Sequence, residues 1–224
     1  MLRTPMADPR CSRRWTCGST SCASTARATC PTGSPRRSRA HSARTTPTRN
    51  DLDALFLVPS AAITLQTTLG FEPTGSGSVC YRSAAGAAFA QTQQDVVALL
   101  RDDAEAPQVS VSQDDYGFTW LVVTGDPGDM SGLCTDLHAV NTTLELNGFD
   151  SGLLCSMVPF ANASGQRFGL TYLYKQGTFY PFAPAGTQSR DNLLELSVRD
   201  LLAPELPMEP DLQRWLAIWK APGL

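Results

Sequence analysis

Apolar residues recur at regular spacing from Asp51 onward, and before it they do not. Leu52, Leu55 and Phe56 share one helical face, Asp51 stands where a cap belongs, and Pro59 interrupts the run. Ser60 is placed to cap a second helix lined by Ala61, Ala62, Leu65 and Leu69, and Gly70-Phe71 reads as its stop. Gln91 to Arg101 predicts a helix with Val96, Val97 and Leu100 inward. Leu133, Leu137, Val140 and Leu144 form another helical stripe, and Gly148-Phe149 closes it as Gly70-Phe71 closed the first. Asp191 to Leu202 predicts a further helix with Leu194, Val198, Leu201 and Leu202 toward the core.

Between these stripes the period falls to two. Gly77 to Tyr81 and Ala87 to Ala90 read as short strands. Gln108 to Val111 and Phe118 to Thr124 read as a hairpin around Gln113-Asp-Asp-Tyr-Gly117, and both alternating sets of the second strand are apolar enough to be covered. Leu153 to Phe160 and Phe168 to Lys175 predict a second hairpin over Asn162-Ala-Ser-Gly165. The densest stretch, Arg167 to Pro184, is rich in aromatic and β-branched residues and turns at Gln176-Gly177 into a strand over Thr178 to Phe182. Asp211 to Ile218 is a short helix or turn able to pin Trp215 and Trp219 onto the body. Consecutive hairpins with helices between them predict an α+β fold, an antiparallel sheet covered by helices. A helix, a Gly-Phe pair, a Cys-bearing strand, a second strand and a helix occur in that order over 59–102 and 131–202, the outline of a pseudo-duplicated unit.

Charge divides the chain at the same place as hydrophobicity. Residues 1–50 hold ten arginines, no lysine and one acid, a net of +9, with too few large apolar side chains to form a core. This Arg/Ser/Thr-rich segment is expected to be disordered. Its composition is what GC-rich DNA yields from a wrong frame or an early start, a reading preferred to that of a basic arm for nucleic acid or anionic lipid. Residues 51–224 form the single domain and carry eight basic and twenty acidic groups, a net of −12 that repels phosphate. No secretion signal opens the sequence, and no apolar run approaches the roughly 18–20 residues of a bilayer span, so a cytoplasmic location is expected.

Candidate chemistry is sparse. Cys134, His138 and Asn141 fall on one helical face, but they border the Leu133–Leu144 stripe, which favours packing over a thiolate nucleophile. Cys80, Cys134, Cys155 and His138 add up to a zinc donor set without the short ligand spacing of a zinc site. Cys11, Cys17, Cys22, Cys30 and His41 lie in the first fifty residues and match no metal or redox pattern. No phosphate-binding glycine loop is present, and no cofactor is implied. Acidic pairs such as Asp102-Asp103 and Asp114-Asp115 read as solvated loop tips. The polar group of interest is Lys175, Tyr180, Arg190, Asp191 and Asn192, flanking a turn and opening a helix whose free N–H groups suit an anion or a partner's carboxylate.

Several segments carry a family likeness: Leu52-Asp-Ala-Leu-Phe56 with Pro59-Ser-Ala-Ala62, Ala84 to Gln93, Phe118-Thr-Trp120 and Asp136 to Asn141. Tyr172-Leu-Tyr-Lys175, Gly177 to Pro184, Arg190-Asp-Asn192 and the close from Pro210 through Trp219 to Leu224 complete it. Over residues 51–224 the chain resembles the PspA-associated protein family (PspAB) of actinobacteria. The resemblance implies an accessory protein linked to PspA, the membrane-binding scaffold of envelope stress responses, with no catalytic residues to carry over. Two functions are therefore expected to compete. One is a non-catalytic adaptor for a PspA-type scaffold or a membrane-quality-control protease, at the inner membrane face through its partner. The other is a small-ligand or enzymatic domain with a cleft near Lys175, Tyr180 and Arg190.

Overall fold

A computed structural model describes residues 51–101 and 106–224. The expectations for residues 1–50 and for Asp102-Asp103 lie outside the described residues. A 3₁₀ helix, Leu52–Leu57, runs into α1, Val58–Leu69. Pro59 sits in the first turn of α1, where its missing N–H costs nothing. Asp51 makes no capping side-chain bond, and Ser60, inside α1, donates instead to Glu205 Oε2 at 3.3 Å. With three residues per turn, Leu52 and Leu55 share the inner face while Phe56 rotates out and is 46% exposed, contrary to its expected inward position. Gly70 ends α1 in the left-handed conformation at φ 68°, and Phe71 folds back into the core.

The remaining elements are β1 (Phe71–Pro73), β2 (Ser76–Arg82), α2 (Ala87–Leu100), β3 (Gln108–Gln113), β4 (Phe118–Thr124) and α3 (Met130–Leu146). After them come β5 (Leu153–Asn162), β6 (Arg167–Leu173), β7 (Thr178–Phe182) and α4 (Asn192–Leu202). The strand expected over Ala87 to Ala90 is helical. Strand β2 is already paired on both sides, by β4 and β5, so a second strand there would have no partner. Alanine is the strongest helix former, and Phe89, Thr92, Val96 and Leu100 make one buried stripe down α2. The first half of the outlined duplication therefore lacks its second strand.

The seven strands form one antiparallel sheet in the order β3-β4-β2-β5-β6-β7, with β1 added to the far end of β5. The fold is α+β, as the hairpin-rich order predicts. Helix α3 lies at the centre of the helical layer, and its Leu133, Leu137, Val140 and Leu144 are all buried. Gly77 of β2 faces Leu133 and Leu137, where any side chain would approach them within about 3.0–3.3 Å. The chain from Leu52 to Leu69 has the length and apolar composition of a membrane span, an exception to the expectation that no run approaches that length. Its inner residues Leu55, Val58, Ala61 and Leu65 are packed in the core.

The opposite face of the sheet is covered by chain after α4. Residues 211–224, with one 3₁₀ turn at Leu212–Arg214, lay Trp215, Ile218, Trp219, Ala221 and Leu224 over β2, β4, β5, β6 and β7. This is the second cover that the two apolar faces of β4 require. The sheet edges differ. Strand β7 exchanges backbone bonds with the 207–209 segment, Phe179 N–H to Pro207 O at 2.8 Å and Glu209 N–H to Phe179 O at 2.7 Å. Among the described residues strand β3 pairs on one side only, and Arg101 Nη2 donates to its Val109 carbonyl at 3.1 Å.

Candidate functional site

Where the C-terminal segment crosses the sheet it encloses an apolar pocket of about 290 Å³. The sheet contributes Cys80, Cys155, Leu173 and Tyr180. The β3–β4 hairpin supplies Asp114, Tyr116, Phe118 and Trp120, and Leu216 to Trp219 face them from the segment. Each wall follows from local sequence. The alternation in β4 turns Phe118 and Trp120 to this face, and the register places Cys80 of β2 directly opposite Cys155 of β5. The hydrogen-bonded neighbour Cys155, together with burial, pushes the Cys80 thiol far up and keeps it protonated.

Polar atoms inside the pocket are already engaged. Tyr180 is fully buried and donates through its hydroxyl to Leu216 O at 3.0 Å. Burial raises its pKa and keeps the phenol a donor. Trp120 Nε1 donates to Asp114 Oδ2 at 3.1 Å, while Asp114 Oδ1 accepts from the N–H groups of Tyr116 and Phe118, each at 2.9 Å. Burial pushes the Asp114 carboxyl up, but the Trp120 indole and these backbone donors outweigh it and hold it below the ordinary carboxylate value. Next along the chain from Trp219, Lys220 pairs with Asp115 at 2.7 Å, joining segment to hairpin; Lys220 has φ 61°, the one non-glycine residue at positive φ among the described residues.

The five polar residues singled out from sequence divide between this pocket and its scaffolding. Lys175 and Tyr180 line the pocket. Lys175 Nζ donates to Ser151 O at 3.1 Å and the residue is exposed. Arg190 does not line it. Its Nε meets buried Glu195 Oε1 at 2.9 Å, its Nη1 donates to Trp215 O at 2.7 Å, and its guanidinium lies 5.1 Å from the Phe182 ring centroid. Glu195 Oε1 also accepts from Ala183 N–H at 2.8 Å, so Arg190 and Tyr180 together hold the segment against the sheet. Asp191 caps α4, accepting from Leu194 N–H at 3.0 Å, and Asn192 is exposed in the first turn.

A model of the family described as PspA associated protein B matches residues 40–223. The chain belongs to the PspA associated protein B family. Membership implies association with a PspA system. No curated protein and no solved structure matches the chain.

The other groupings weighed from sequence come apart in this member of the family. Cys134 is buried beneath α3 and burial pushes its thiol up to about 12, far from a poised nucleophile. Asn141 is buried too, its Nδ2 donating to Leu137 O and Ser156 Oγ. His138 lies toward the surface, 3.5 Å from Asp53 and 4.9 Å from the Phe56 ring. Cys80 and Cys155 pack on the sheet face away from Cys134, and among the described residues no three His, Cys, Asp or Glu side chains gather to hold a metal ion. The sequence reading missed Phe118, Trp120 and Leu216 to Trp219 as walls of one pocket. The available signal was a strand apolar on both faces, followed after α4 by a Trp-rich segment with nothing else to cover.

Proposed function

We infer that this protein is a non-catalytic adaptor that binds a PspA-type scaffold in the cytoplasm and reaches the inner membrane face through that partner. The reading rests on the family match over residues 40–223. The outer side of the first helical stretch agrees with it: Phe56 is 46%, Leu57 44% and Ile63 64% exposed within about two turns. Exposed apolar side chains in one neighbourhood mark a partner surface more often than chance placement does. The net −12 over residues 51–224 opposes direct attraction to anionic lipid, so a partner supplies the membrane contact.

The test is a pull-down from native cells with the full chain. Wild type is expected to recover a PspA-type scaffold, Phe56→Ser/Ile63→Ser to lose it, and Leu146→Ser, at an exposed site on α3, to keep it. Failure of wild type to recover any such scaffold would refute the adaptor reading. Circular dichroism of the double variant separates a lost surface from a lost fold.

A second reading, ligand binding in the pocket that holds Lys175 and Tyr180, is favoured by one observation. The pocket is apolar in depth, with the Tyr180 hydroxyl and the Trp120 indole already bonded to the protein.

A further inference from the structure

We propose that the pocket under the C-terminal segment binds a single-chain amphiphile, its apolar end inward and an anionic head at the Lys175 side of the mouth. This rests on the ligand-binding reading above and names the ligand's chemistry.

The depth of the pocket decides the buried part. Leu154, Leu173 and Ile218 are aliphatic, and the Tyr180 hydroxyl and Trp120 indole are already spent on Leu216 O and Asp114. A polar group carried inward would lose its water and find no partner, at a cost on the scale of an unmade buried hydrogen bond. The volume, about 290 Å³, is at the low end of ligand pockets and fits one slim chain.

The mouth decides the head. Lys175 makes one bond, to the Ser151 carbonyl, which leaves ammonium donors free. Arg82 does not line the pocket; its guanidinium lies over the Phe118 ring at 5.6 Å, toward the hairpin. Among the described residues Lys175 has no carboxylate within ion-pair distance. Asp114, the acid that lines the pocket, is engaged by the three N–H groups named above, and its neighbour Asp115 by Lys220. An anionic head is therefore drawn to Lys175, the cation that lines the pocket.

The full chain is titrated with 11-bromoundecanoate and with 11-bromoundecan-1-ol, below their aggregation limits, reading tryptophan quenching. The bromine quenches Trp120 and Trp219, which line the pocket. Saturable quenching by both is expected, with the acid bound roughly two- to fivefold more tightly, the scale of one exposed ion pair. Lys175→Gln should remove that preference and leave alcohol binding in place. Ala217→Phe, which fills the mouth from the exposed segment, should abolish both. Equal binding of acid and alcohol, or a preference that survives Lys175→Gln, overturns the head assignment while the pocket stands. Absence of saturable quenching by either compound, or quenching untouched by Ala217→Phe, overturns the ligand reading itself. Neither result bears on scaffold capture through Phe56 and Ile63.

Discussion

Replacing Arg190 by Met tests whether this side chain anchors the C-terminal segment. The substitution keeps the length and packing over Phe182 and deletes the charge and both donors. It leaves the Glu195 carboxylate, 3% exposed, with Ala183 N–H as its remaining partner, and frees the Trp215 carbonyl. Breaking a buried ion pair from one side costs about 3–5 kcal/mol. Arg190 is 21% exposed, so water reaches its end of the pair and the expected loss is about 3 kcal/mol. For a domain of this size that lowers Tm by roughly 6–12 °C. The assay is urea unfolding followed by tryptophan emission, with a red shift as Trp215 leaves the sheet before global unfolding. Arg190→Met/Glu195→Gln keeps an acceptor for Ala183 N–H and removes the stranded charge, so it should regain about 1–2 kcal/mol. A single variant within about 0.5 kcal/mol of wild type, or a double variant no better than the single, would refute the anchoring role.

Two other outcomes follow from the geometry. Because Asp114 has its folded pKa below its unfolded value, its contribution to stability is present above the ordinary carboxylate value near 3.8 and is lost as pH falls through the lower folded value. Asp114→Asn should lack this acid-limb loss when unfolding is compared at pH 7 and pH 3; identical pH profiles would count against it. Leu137→Ala, at a fully buried position beside Gly77, should cost about 2–5 kcal/mol in urea unfolding, and a cost below 1 kcal/mol would show that α3 is not the centre of the packing.

The helices and hairpins of this fold are largely local features, and they are visible in the sequence for that reason. The Leu133–Leu144 stripe and the Gly70-Phe71 stop need no knowledge of what lies across the core. Ala87 to Ala90 fails as a strand because the decision is tertiary: both edges of β2 are taken by strands far away in sequence. Phe56 turns outward because a 3₁₀ rather than an α period governs its first two turns. Arg190 shows the limit for sites. A charged residue ahead of a helix looks free to meet a ligand, and only the fold reveals Glu195 and the Trp215 carbonyl as its partners. Lys175 and Tyr180 do share a pocket, but its walls come from separate stretches spread along the chain from Cys80 to Trp219, which no local pattern joins.

The unequal sheet edges set a limit on lateral assembly. Strand β7 has its outer hydrogen bonds taken by residues 207–209 and includes Pro181, which lacks a donor. Strand β3 is polar and carries no proline, and Arg101 occupies its Val109 carbonyl. Indefinite growth of a β-ribbon needs two receptive borders on every copy. Among the described residues the sheet has one such border longer than the three-residue β1, so two chains that zip β3 to β3 would consume both long borders, and the extended sheet would stop at a closed pair instead of propagating into a fibre.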